Sequence, residues 1–177
     1  MENRIRNILL NTLFGSLVCI IFGVLIYGIE IFDFQSSRSQ IFVFGIYGAV
    51  FFSVLKYGKR KELIFIGVLI FVVNIILQGK SITFNFFLRD LLFVSSLFSA
   101  LVLYKLFIDN YSKLLITIRV LSLSILLGLF NAIATIILVQ IFDAPNNEMI
   151  NAVMLNAQYG FLVGFGLGLG FDLYEKF

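Results

Sequence analysis

Between Tyr159 and Phe171, glycine stands at positions 160, 164, 166, 168 and 170, and the residues between them are Phe, Leu and Val. In a soluble helix each of these glycines is destabilising by roughly 1 kcal/mol relative to alanine. So poor a helix former stays helical only where its backbone has no competing hydrogen-bond partner, and hydrocarbon is such a solvent. There, small residues also let neighbouring backbones approach closely. Gly160, Gly164 and Gly168 recur every four residues and share one groove, while Gly166 and Gly170 form a second groove beside it. The pattern predicts a final helix packed between two neighbours inside a membrane.

Composition agrees with that solvent. Hydrophobic residues make up 60% of the 177, and the mean hydropathy is +1.05, whereas soluble domains hold roughly 45–50% apolar residues. The expected fold class is all-α: a polytopic integral membrane helical bundle of about six transmembrane helices, one domain over residues 1–177. Cys19 is the sole cysteine, so no intrachain disulfide forms. The chain has no histidine, which removes the commonest metal ligand and the commonest neutral-pH proton carrier. Zinc, haem and triad chemistry are therefore not expected, and neither a metal nor another cofactor is called for.

The apolar runs place the spans at about residues 8–29, 41–55, 63–77, 91–107, 114–142 and 148–171. The first is about 22 residues without a charge, long enough to cross a hydrocarbon core of about 30 Å. It exceeds the apolar core of a signal peptide and leads into Glu30 and Asp33, so an uncleaved first span is expected. The fifth run, roughly 29 residues, is long enough to require tilt or protrusion. Residues 79–90 are mixed and read as an interfacial loop, and Pro145 marks a turn over residues 143–147. The second and third runs are short enough to form a single re-entrant unit instead, which leaves five or six spans.

Six spans put both termini on one side. Arg4, Arg6, Lys56, Lys59, Arg60, Lys61, Lys105, Lys113, Arg119 and Lys176 then share that side, while Arg38, Lys80 and Arg89 lie opposite. Cytoplasmic loops of membrane proteins carry the excess of Lys and Arg, so both termini are expected in the cytoplasm, most simply beneath a bacterial inner membrane. Tyr57, Tyr104, Tyr111 and Tyr174 fall near the same boundary, as an aromatic belt does. Basic charge placed in this way serves orientation, and no nucleic-acid partner is implied.

Polar groups within hydrocarbon are costly unless partnered, so they point to sites. Ser124, Gly128, Asn131 and Thr135 share a face of the fifth span; Asn147, Asn151, Met154 and Gln158 share a face of the sixth; Asn74 and Gln78 share one of the third. In one reading Asn74, Asn131, Thr135, Asn151 and Gln158 line an outward-facing pocket for a small polar solute. In the other they bond across helix contacts, each worth about 0.6–2 kcal/mol, and hold the bundle together. Gly15, Cys19 and Gly23 make a second small-residue stripe; it and Gly160, Gly164 and Gly168 serve helix packing or contact with a partner. Arg119 lies near the cytoplasmic end of its span, placed to snorkel or to pair with Asp109 or Asp172; Arg89 and Asp90 adjoin at the outer mouth as a gate or an interfacial pair. No carboxylate falls in mid-span and no nucleophile lies near a base, so an enzyme is not expected.

In length, span number and orientation the chain is similar to the membrane-embedded S components of energy-coupling factor vitamin transporters. The resemblance implies a solute captured near the outer face and a coupling subunit met through small residues on an early helix. Gly15, Cys19 and Gly23 are the matching stripe, though that of the family is typically alanine. The expected function is a non-enzymatic multi-pass membrane protein, a solute-binding or transport component working with a partner subunit. The alternatives are a structural or assembly subunit of a larger membrane complex, and an oligomeric pore lined by the Ser124 to Thr135 face. The expected partners are membrane lipids, together with a membrane protein or further copies of the chain.

Overall fold

The computed structural model describes residues 2–32, 38–77, 84–109, 116–142 and 146–176. These residues form six α-helices and no strand: α1 (Glu2–Tyr27), α2 (Ser39–Tyr57), α3 (Arg60–Leu77), α4 (Phe84–Tyr104), α5 (Ile116–Ile141) and α6 (Asn146–Lys176). Three segments are long and apolar enough to cross a membrane: Asn3–Phe32, Ile116–Ile141 and Met149–Glu175. The helices α2, α3 and α4 are shorter, at 19, 18 and 21 residues.

The helices outrun the apolar runs that announced them. α1 takes in Arg4 and Arg6, α6 continues through Asp172 and Glu175, and residues 84–90, expected as loop, are the first turns of α4. Hydropathy marks where a helix leaves hydrocarbon, whereas Arg, Lys and Glu at a helix end are good helix formers and do not stop it. Helix stops instead follow backbone chemistry. Gly28 takes φ +65°, the left-handed conformation that closes a helix, and a short 3₁₀ turn (Gly28–Phe32) follows. The expected turn at Pro145 lies outside the described residues.

Neighbouring helices run up and down. α2 is central: it touches α1, α3, α4 and α6, and none of its large apolar side chains is exposed. Phe52 stacks on Phe171 with ring centroids 4.1 Å apart and also meets Tyr104, so α2, α4 and α6 share one aromatic contact. α6 is the second hub, between α5 and α1. A β-carbon built on Gly164 lies 2.6 Å from the Cα of Ser124, and one on Gly168 lies 3.0 Å from the Cα of Val120. On the adjoining face, β-carbons on Gly166 and Gly170 lie 2.6 Å from the Cα atoms of Cys19 and Gly15. At the 2.6 Å positions only a hydrogen fits, and at Gly168 a methyl group would press on the backbone of α5.

The stripe of Gly15, Cys19 and Gly23 is buried by the chain itself. Gly15 faces Phe171 and Ala49, Cys19 faces Gly45 and Gly166, and Gly23 faces Ile41 and Ile31. The outward faces of α1 and α5 carry apolar rows: Leu9, Leu13, Leu17, Ile21 and Leu25 are exposed on α1, and Leu121, Ile125, Leu129, Ile133 and Ile137 on α5.

Candidate functional site

Two polar constellations interrupt this apolar bundle. The first is a set of hydroxyls and amides within the helix contacts. Asn131 is 6% exposed and Thr135 4%, both turned inward on α5. The Ser96 hydroxyl of α4 lies 2.8 Å from Asn131 Oδ1 and 2.8 Å from the Phe93 carbonyl; having one proton, it donates to one at a time. The Thr135 hydroxyl donates to the Asn131 carbonyl at 2.8 Å, and that of Ser124 to the Val120 carbonyl at 2.8 Å. Glycine makes room for this layer, since Gly160 abuts the Asn131 side-chain amide and Gly128 the Ala157 carbonyl. Nearer the termini, Asn11 Nδ2 donates to Ser53 Oγ at 2.9 Å, and Ser53 donates to the Ala49 carbonyl at 2.6 Å.

The second constellation is ionic and gathers every helix at one end. Arg119 Nη2 lies 2.6 Å from Asp172 Oδ1, and Nη1 lies 3.3 Å from Glu175 Oε2, which joins α5 to α6. The Arg119 and Asp172 side chains are 14% and 7% exposed, so this pair is largely removed from solvent. Lys56 of α2 pairs with Glu175, and Arg4 of α1 reaches Glu62 of α3 at 2.8 Å. Lys105, in the π-helical turn after α4 (Lys105–Asp109), donates to the Leu55 carbonyl. The Tyr174 hydroxyl donates to Asn7 Oδ1 at 3.1 Å. At the opposite end, among the described residues, Arg38 pairs with Glu30 and lies 5.6 Å above the Tyr27 ring, which meets Tyr159 edge-on.

The five residues proposed to line a solute pocket are thus placed differently. Asn131 and Thr135 are together in the buried layer, whereas Asn151 and Gln158 are exposed on the outward face of α6. Asn74 is helical in α3, and its side chain lies outside the described residues, as do Gln78 and the side chain of Asp90. Arg89 is half-buried near the start of α4. Of the two partners weighed for Arg119, the structure shows Asp172, and Asp109 has its side chain outside the described residues.

Sequence reasoning passed over Asn11, Ser53, Ser96 and the Arg4–Glu62 pair. Asn11 was visible as an amide in the charge-free first run, Ser53 as a hydroxyl in the second and Ser96 as one of three serines in the fourth, but nothing in one sequence says which hydroxyl meets which amide. A third feature has no sequence signal: a cleft of about 360 Å³ where α3 stands off from α2 and α4, lined almost wholly by apolar atoms.

No family model, no curated protein and no solved structure matches this chain.

Proposed function

We propose that the chain is an integral membrane protein of six spans, both termini cytoplasmic, which carries out no chemistry itself and serves as a structural or assembly component of a larger membrane complex. The observation that carries this reading is the pairing of its inward polar groups with one another. Ser96 with Asn131, Asn11 with Ser53 and Arg119 with Asp172 each join two helices. Polar contacts of this kind hold helices together in lipid, where apolar surface gives no net drive for helices to associate. The membrane setting is supported by the exposed Leu and Ile rows of α1 and α5, since soluble monomers rarely expose contiguous apolar patches above a few hundred Å². Charge placement supports the orientation, with Arg4, Lys56, Lys105 and Arg119 bonded at one end of the bundle.

A solute-binding or transport component remains the second reading, and the polar layer at Asn131 favours it. Ser96 divides one proton between two acceptors there, which is the kind of site a further donor completes. A pore along the Ser124 to Thr135 face gains no such support, because Gly160 and Gly164 of α6 cover that face. Purification from native membranes in mild detergent separates the two readings. A stoichiometric partner protein is the expected outcome; a co-purifying small polar molecule that Asn131→Leu releases would overturn it in favour of the second.

A further inference from the structure

We propose that the cleft between α2, α3 and α4 is a binding site for one anionic phospholipid of the cytoplasmic leaflet, with an acyl chain in the cleft and the phosphate on Lys59 and Lys61. The inference rests on the membrane reading and its orientation. The rings of Phe51 and Phe98, with centroids 5.6 Å apart, line the cleft together with Gly67, Val68, Phe71 and Val94. Ser95 does not make the cleft polar, because its hydroxyl donates to the Leu92 carbonyl at 2.9 Å. A volume of about 360 Å³ lies in the range of small-ligand sites, roughly 300–1,000 Å³.

The charge stands at and just before the start of α3, ahead of the lining residues Leu63 and Ile64. Lys59 and Lys61 are exposed, and neither pairs with a carboxylate among the described residues. The nearby carboxylate of Glu62 is already engaged, by Arg4 at 2.8 Å and by the Lys59 backbone N–H at 2.8 Å. Lys61 stands one turn from Ile64, and both Ile64 and Val68 line the cleft, so the cation and the slot share a face of α3. Basic pockets between spans on the cytoplasmic side hold anionic headgroups.

Length argues the same way. From Lys61 to Phe71, α3 rises about 15 Å, half the roughly 30 Å hydrocarbon core. A headgroup at Lys61 therefore places the floor of the cleft at the bilayer midplane, where the acyl chain of that leaflet ends.

The test is native mass spectrometry of the protein released from bilayers of phosphatidylglycerol and phosphatidylcholine in equal amounts with identical chains. One phosphatidylglycerol per chain is expected to survive delipidation. Lys59→Gln with Lys61→Gln is expected to cut the preference about tenfold or more. Gly67→Leu, whose side chain grows into the cleft, is expected to abolish retention of both lipids while leaving the melting temperature within a few degrees. Equal lipid retention by the parent and both variants would overturn the proposal. So would a homodimer that crosslinks through Ser95→Cys, since a second copy would then cover the cleft. Release of the protein from vesicles by alkaline wash would instead overturn the membrane reading itself, so the two failures are distinguishable.

Discussion

At Gly164 the difference between a hydrogen and a methyl group decides whether α5 and α6 can close. A β-carbon there meets the Leu123 carbonyl oxygen at 2.7 Å and the Ser124 Cα at 2.6 Å, both backbone atoms unable to move aside. Gly164→Ala should therefore cost about 1–3 kcal/mol, the usual range for overpacking, read as a clear drop in the detergent melting temperature. Gly67→Ala is the control, since its β-carbon meets only the Phe51 ring, at 3.6 Å, and should melt as the parent does. Charge gives a second residue-scale prediction. Arg119→Met strips Asp172 of its 2.6 Å partner at a site 7% exposed, and breaking a buried pair from one side costs about 3–5 kcal/mol. Arg119→Met combined with Asp172→Leu removes both charges and should recover most of that loss. A double variant no more stable than the single one would mean that Arg119 serves mainly Glu175.

Helices were legible in the sequence where hydropathy alone decides, and less so where partners decide. All six apolar runs became helices, because a run of about 15 or more apolar residues without proline has few alternatives. Their limits were misjudged at α1, α4 and α6, where charged turns extend the helix beyond the apolar run. The centrality of α2 was not legible at all. Gly45, Ala49 and Ser53 do recur every four residues, and that stripe meets Gly15, Cys19 and Asn11 of α1, but the rest of the helix is apolar on every side and nothing in it foretells its contacts with α3, α4 and α6. The polar residues showed the same limit: spacing placed Asn131 and Thr135 on one face, but only the fold shows that this face meets Ser96 and the glycines of α6. α3 is the opposite case, with Ile70 its only fully buried side chain among those described, and with Ile64, Phe65, Val68 and Ile76 each more than half exposed. Helices with few packed contacts open locally at lower free energy. Hydrogen exchange in detergent should therefore label the amides of α3 well before those of α2, and equal protection would show α3 covered by a partner.

For the molecule as a whole, the arrangement makes one thiol silent and others diagnostic. Cys19 of α1 is 1% exposed against α2 and α6, so the natural protein should resist a membrane-impermeant maleimide while folded. That silence lets introduced cysteines report topology without a cysteine-free background. Asn3, Lys61 and Leu106 are exposed at the charged end and Ile29 at the other, 81% accessible. In intact bacterial cells, Ile29→Cys should label, whereas Asn3→Cys, Lys61→Cys and Leu106→Cys should label only after permeabilisation. Each rival arrangement gives a different pattern. If α2 and α3 formed a re-entrant pair, Lys61 would fall on the side of Ile29 while Asn3 stayed opposite. If the positive ends faced outward, all four results would invert together, and the ion pairs at Arg4, Lys56 and Arg119 would persist unchanged. Fold and orientation rest on different forces, the first on contacts within the chain and the second on the Lys and Arg excess acting during insertion. Reversing that excess with Lys59→Glu and Lys61→Glu should weaken the orientation while leaving the bundle intact, because neither side chain pairs with a carboxylate among the described residues.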